Sequence, residues 1–416
     1  MTKMKNSGVE WIGEIPEDWE TIRNKRIMKK VKNICEHYNN WNVLSLTMNG
    51  VIVRDLDNPN GKMPLTFDGY QYINENNLLM CLFDIDVTPR CVGIIKNNGV
   101  TSPAYSQFEL TERADVNYFY YYYLYLDNKK ELLHLSKNLR YSLTENQLGE
   151  ILVPLPPKST QQLIASYLDK KCSKIEETIQ NQQQVIEKLK AYKQSLITEA
   201  VTGKIKIQNI MPDFKYCNLG FIAEFKNGLN YNASDFGKEV KFLGVGDFQN
   251  YLVLNDKSMF SNIITDTEIE DDYYLKNGDI IFVRSNGSKE LVGRAIMVDN
   301  IDFKVTYSGF CIRLRNKEPQ KINSKFLLYF FRSDYFRSEL QRLSQGSNIS
   351  NINQDLLSHI KIPLVDMRFQ ESVIDLLNKK CTAIDTAIEQ KQKLIEKLTE
   401  YKKSLIYECV TGKKEI

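Results

Sequence analysis

The 416-residue chain is written twice. Residues 161–207, QQLIASYLDKKCSKIEETIQNQQQVIEKLKAYKQSLITEAVTGKIKI, fall without a gap on residues 370–416 after a shift of 209, and 23 of the 47 paired positions are identical. The same shift pairs Ile151 with Ile360 and Pro154-Leu155 with Pro363-Leu364. Each half therefore ends in an I-x-x-P-L strand that leads into a long helix, and a repeat at this period makes half the molecule the structural unit. The expected order is a globular domain at 1–157, a long helix at 158–206, a second globular domain at 207–366 and a second long helix at 367–416.

Both helices carry a heptad. Leu168, Cys172, Ile175, Ile179, Gln182, Ile186, Leu189, Lys193, Leu196 and Ala200 alternate at spacings of four and three, and Leu377, Cys381, Ile384, Ile388, Lys391, Ile395, Leu398, Lys402, Leu405 and Cys409 repeat them. That pattern is an a/d seam. Gln182 with Lys391 and Lys193 with Lys402 interrupt it at matching places, as register-setting polar layers do. The seam predicts that the helices pair with each other, antiparallel because a domain must be crossed between them. Roughly 40 residues at about 1.5 Å each make a rod about 60 Å long. Ser159 with Gln162 reads as a capping box, and Gly203 and Gly412 in VTGK read as C-terminal stops. The second copy has MRFQES where the first has KSTQQ, which predicts a weaker cap there.

The globular parts repeat more faintly. ENNLLMCLF, DIDVTPR and CVGIIK in the first answer to KNGDIIFV, RSNGSKE and LVGRAIMV in the second, so a strand, a polar loop and a V-G strand are common while the loops are unrelated. A helical segment follows in each, and the run Tyr120 to Tyr123 is either a base-stacking platform or an aromatic face packed on the sheet. The second copy places Leu and Phe there, which favours packing. The fold class expected is α+β: two similar domains of mixed short-strand sheets with helices, joined by two long helices forming an antiparallel coiled coil, with an internal pseudo-two-fold repeat.

Composition removes several classes. At 42% apolar and 26% charged residues the chain is globular, and 55 Lys and Arg against 52 Asp and Glu leave a net charge of only +3, so any grip on a polyanion must be local. RNKRIMKKVK at Arg23 to Lys32 is the basic run, read equally as a phosphate grip or a solvated face. No apolar run approaches a membrane span and the opening MTKMKNSGVEW lacks a signal h-region, so a cytoplasmic location is expected. Eight Cys without a CxxC pair and three His give a metal site little material, and the cysteines read as small buried hydrophobes.

Two motifs tempt towards catalysis. Pro212-Asp213, Glu224 and Lys226 match the PD-x10-E-x-K spacing of metal-dependent nucleases, but the first copy lacks the E-x-K pair. Phe242 to Gly246, FLGVG, is similar to a loop that binds S-adenosylmethionine, but a strand-like DFQNYLVLND follows where a helix should open. There is no NPPY-type or DPPY-type tetrapeptide and no GxxxxGK[ST], so neither a methyltransferase nor an ATPase is expected in the chain itself.

GVEWIGEIPEDWE, PLPPKSTQQ, LKNGDIIFVRSNGS, QGSNISNINQDLLSHIKIPL and the doubled ending SLI-x-E-x-VTGK resemble, in this order, the DNA-specificity subunit of type I restriction-modification systems. The resemblance covers essentially the whole chain. It implies two target-recognition domains that each read half of a split, asymmetric double-stranded DNA sequence, with the two long helices as spacers that dock two methyltransferase (modification) subunits. It also implies restriction and translocase subunits reached through the complex, with S-adenosylmethionine, ATP and Mg on those partners and no cofactor on this chain. Candidate base readers are then the polar residues of the variable loops: Arg284, Asn286, Ser288, Lys289 and Arg294, with Gln345, Ser347 and Asn348, in the second domain. In the first they are Thr88, Arg90, Lys96, Asn98, Ser102 and Tyr105, with Asn138 and Arg140. Arg and Asn forks suit guanine and adenine edges. A coiled-coil adaptor whose domains bind proteins remains the alternative at this point.

Overall fold

Both long helices form, each over 44 residues, Lys158–Val201 and Met367–Val410, ending short of the expected 206 and 416. The computed structural model describes residues 3–59, 63–136, 141–206, 213–230, 233–248, 252–266, 268–285, 291–344 and 351–416, with backbone alone at 233–236. Its contacts partition the chain into one unit of Met1–Gln182 with Gln392–Ile416 and another of Gln183–Lys391. Each unit thus owns a globular part and a stretch of both helices.

In the first unit Leu168, Cys172 and Ile175 share one apolar cluster with Leu405, Ile406 and Cys409, and Ile179 and Leu398 pack against it. In the second, Leu196, Ile197 and Ala200 share a cluster with Leu377, Cys381 and Ile384, with Leu189 and Ile388 against it. Ile186 is buried and Ile395 half-buried. Early turns of one helix meet late turns of the other in both units, so the pairing is antiparallel. The two seam lysines find acids across it: Lys402 pairs with Glu176 in the first unit, and Lys193 Nζ lies 2.6 Å from Asp385 Oδ2 in the second. Shifting either pair by 209 gives the other. Ion pairs this exposed add at most about 1 kcal/mol, so their contribution is register.

The helix starts differ from the sequence expectation. The first helix begins at Lys158, which places Ser159 inside the first turn rather than at the cap. The second is capped by Asp366, whose Oδ1 accepts from Arg368 N at 2.8 Å, so MRFQES is not a weak start. What the copies share is a buried glutamine. Gln161 Nε2 donates to Arg113 O and Pro156 O while its Oε1 accepts from Asp115 N. Gln370 does the same with Lys321 O, Val365 O and Asn323 N. Asp115 and Asn323 are themselves the N-caps of the helices Val116–Lys129 and Ser324–Phe331, so one carboxamide locks a long helix to a core helix in each unit.

The stops are Schellman motifs. Gly203 N bonds Ala200 O and Lys204 N bonds Glu199 O, and Gly412 with Lys413 repeats this on Cys409 and Glu408. Both glycines have positive φ, +73° and +71°. A Cβ on Gly412 would also stand 2.3 Å from Pro16 Cδ, and one on Gly203 2.0 Å from Phe214 Cε2. Gly412→Ala therefore meets backbone strain and a clash together, and we expect a loss of about 1–3 kcal/mol in urea unfolding, with the Pro16–Trp19 segment losing hydrogen-exchange protection first.

The core sheet of the first unit is antiparallel, in the order 28–31, 106–110, 78–80 and 92–94; the second has 223–227, 311–316, 280–283 and 295–298 in the same order, plus 253–254 running parallel at the edge. Strands Leu78–Met80 and Ile280–Val283 are buried on both faces, which their unbroken apolar runs require. One face is covered by the helix Val116–Lys129 or its counterpart Ser324–Phe331. Tyr121, Tyr122 and Tyr123 are buried, so the tyrosine run is core packing; burial holds the phenols of Tyr122 and Tyr123 above their usual range. Short strands 20–23 with 152–155, and 215–218 with 361–364, close the base of each unit beside the helix start. The V-G pairs of the sequence are not equivalent. Gly93 lies inside strand Val92–Ile94, where a Cβ would strike Leu46 and Val51 at 2.8 Å, whereas Gly293 precedes strand Ala295–Val298 with φ +81°.

Candidate nucleic-acid interface

The loop 81–91 of the first unit and 284–294 of the second join equivalent strands of equivalent sheets. Each is tied to its own helical layer. In the first unit Ile85 and Leu82 are buried, Leu143 N bonds Leu82 O, and the buried Asp127 accepts from Cys91 N at 2.8 Å. Lys130 Nζ donates to Thr88 O at 2.8 Å and to Asp127 Oδ1 at 2.9 Å, which closes the bracket. In the second unit Arg337 Nη1 donates to Val292 O at 2.6 Å and Arg332 Nε to Ala295 O at 3.3 Å. Arg284 is fixed by its backbone, donating to Phe310 O and accepting from Ile352 N. Held backbones are what base-edge readout needs, because a mobile reader loses ordering entropy on binding.

The structure separates the candidate readers. Thr88, Arg90 and Tyr105 line one hollow of about 270 Å³ with Met48 and Phe83. Arg90 and Lys96 also line a cleft of about 1000 Å³ beside the hairpin Leu44–Val53 and the first long helix, with Tyr120, Asp169 and Glu176. Arg90 Nη1 donates to Tyr120 Oη at 3.3 Å. Asn98 and Ser102 belong elsewhere: Asn98 Oδ1 accepts from Glu75 N, and Ser102 accepts through its carbonyl from Gln71 and through Oγ from Ala104 N, so both build turns. Arg294 lines a 480 Å³ cleft with Arg332 and Arg337, which Arg284 does not line. Burial, reinforced by Arg294, lowers the Arg332 pKa to about 10. Asn138, Arg140, Asn286, Ser288, Lys289, Gln345, Ser347 and Asn348 lie outside the described residues.

The tempting motifs have structural explanations. Glu224 and Lys226 alternate on one face of strand Ala223–Asn227 and are consumed by an ion network. Arg313, 0% exposed, donates to Glu224 Oε1 at 2.8 Å and to Asp272 O at 2.6 Å, and Lys226 Nζ lies 2.5 Å from Asp272 Oδ2 and 3.9 Å from the centre of the Tyr273 ring. Lys226 and then Arg313 hold the Asp272 carboxyl below the usual carboxylate range. Asp213 stands apart, paired only loosely with Lys215 at 3.8 Å. Among the described residues no group of three or more His, Cys, Asp or Glu is placed to hold a metal ion. FLGVG ends a strand and leads into a single 3-10 turn, Val245–Asp247, not a helix. In the basic run, Arg23 and Lys25 pair with Glu150 and Lys30 with Glu145, so much of it is a neutralised surface.

The family described as the type I restriction modification DNA specificity domain matches residues 16–188 and again 211–400. The chain belongs to this family. It is 27% identical over 274 residues to the StySPI specificity subunit of Salmonella potsdam, covering 63% of this chain and 57% of that one. It is 25% identical over 428 residues to the MjaVIII specificity subunit of Methanocaldococcus jannaschii, 96% of this chain and 93% of that one. Two solved structures share the fold. A chain from work on complex assembly and conformational transition of the type I R-M system aligns with a TM-score of 0.73 at 13% identity, over 96% of this chain and 99% of that one. The HsdS subunit of Thermoanaerobacter tengcongensis aligns at 0.55 and 14%, over 96% and 98%.

Within this specificity-domain scaffold, sequence reasoning missed the exposed apolar side chains and the brackets. Met48, Phe83, Val87 and Phe310 are exposed beside the polar candidates, but a search for hydrogen-bonding side chains passes over them. Asp127, Lys130 and Arg337 act on loops distant in sequence, and only the matched position after each aromatic helix signals them.

Proposed function

We propose that this chain is the sequence-specific DNA-binding subunit of a type I restriction-modification complex, directing adenine methylation and restriction by partner subunits to a bipartite, asymmetric target. One observation carries the reading: two copies of one scaffold hold unrelated loops at the same topological place, which is how two half-sites of different sequence are read by duplicated units. An adaptor made by duplication has no reason to keep its framework and vary those loops alone, so the adaptor reading is disfavoured. The long helices are the surfaces for two methyltransferase subunits, and the restriction and translocase subunits join through the complex. S-adenosylmethionine, ATP and Mg belong to those partners, and the chain works in the cytoplasm. No helix among the described residues is long and apolar enough to cross a membrane.

Arg284 is the base reader to test first. Its backbone N–H donates to Phe310 O and its carbonyl accepts from Ile352 N, and among the described residues its guanidinium makes a weak 3.4 Å bond to Gly309 O. Arg284→Ala should cost about 1–3 kcal/mol against the cognate base and little against non-specific DNA. A phosphate contact would instead weaken all sequences alike and flatten the salt slope by about one unit. Competition binding on single-base variants at two salt concentrations distinguishes them.

A further inference from the structure

The first unit's loop differs from the second's in sequence. Its tip is LFDIDVTPR where the second copy reads RSNGSKE. Ile85 is buried in the core, and the turn around Asp84, at φ +47°, bonds Val87 N and Thr88 N to Asp84 O. This anchored turn throws the flanking apolar side chains outward: Phe83 is 36% exposed and Val87 73%, with Met48 of the neighbouring hairpin at 57%. Phe83 lies flat against Tyr105, rings 6.4 Å apart at 25°. Together with Leu46, Thr47, Thr88 and Arg90 these groups surround the 270 Å³ hollow. Apolar side chains held rigidly in solvent mark a contact surface. The adjacent acids are informative too. Asp84 and Asp86 at the tip would repel phosphates but can accept from the amino groups of base edges, so this loop faces bases rather than backbone.

The major groove displays one apolar group, the 5-methyl of thymine. We propose that this hollow receives the methyl group of a thymine in the first half-site, with Phe83 and Met48 as its walls and Arg90 at its rim. The inference rests on the DNA-binding reading and adds to it that the first half-site is read partly by shape and apolar contact.

Deoxyuridine replaces thymine with loss of that methyl alone. Sites selected by the full chain in its complex are resynthesised with dU in place of each dT of the first half-site, on either strand, and competed against the parent. One position should lose affinity about fourfold, the worth of burying one methyl-sized group. In Phe83→Ala and in the milder Phe83→Leu, thymine and uracil at that position should bind within twofold of each other, while Arg284→Ala keeps the difference. Phe83 is at the surface, and matched thermal unfolding of the variants shows that the fold is kept. If sequence-selective binding persists but no dU position matters, or the difference survives both Phe83 variants, the thymine pocket is wrong and the DNA reading stands. If no sequence is selected at all, the DNA reading itself fails.

Discussion

Replacing residues 210–360 with the second domain of another family member changes one half of the recognised sequence and leaves the other half intact. Each unit has its own sheet and its own apolar cluster, and the cuts fall outside the strands 215–218 and 361–364 that close the second unit's base. The replaced domain brings its own loops on the same framework, seated on the retained helices through an equivalent buried glutamine. Binding to the original site should fall to the non-specific level, about 10³-fold or more, and selection from a random pool should return a site sharing only the first half. A pool in which both halves changed together would mean that recognition is composite.

Arg313→Leu should destabilise the second unit by about 3 kcal/mol. Its guanidinium is fully enclosed, bridges Glu224 to the Asp272 backbone and sits among Lys226, Arg315 and Asp279. Removing it takes the donor from the Glu224 carboxylate and from the Asp272 carbonyl and leaves a side-chain-sized gap; leucine fills only part of that gap. Glu224→Gln keeps an acceptor and should cost under about 1 kcal/mol, and Asp213→Ala, at the exposed Lys215 pair, should cost nothing measurable. Urea unfolding of the three variants ranks them. The same Asp213 variant, and Glu224→Gln, should leave cleavage by the assembled complex unchanged; a cleavage defect with intact binding would restore a nuclease role to the PD-x10-E-x-K spacing.

The repeat and the heptads were legible because helix periodicity is local and strong: the seam residues from Leu168 to Leu196 and from Leu377 to Leu405 can be read along one strand of text. Caps were less so. Ser159 fits a pattern, yet the start is governed by Gln161, whose partners Arg113 and Asp115 are some 46 residues away. The V-G pairs misled because a shared dipeptide says nothing of register, and ladder pairing places Gly93 opposite Leu79 while Gly293 lies before the strand. At the interface, hydrogen-bonding capacity can be read from residue type, but position cannot. Thr88, Arg90 and Tyr105 converge on one hollow, Asn98 and Ser102 turn the chain, and the sequence gives all five the same polar-loop appearance.

If this chain chooses a split DNA sequence for its partner enzymes, their methylation must follow its presence. Genome-wide mapping of methylated adenine, in one host supplied with the modification subunits and grown with and without this chain, tests it most directly. A set of methylated adenines should appear only with the chain and share one asymmetric motif with an unspecified gap between its halves. An identical methylation pattern in both cultures, with the chain expressed and assembled, would contradict it.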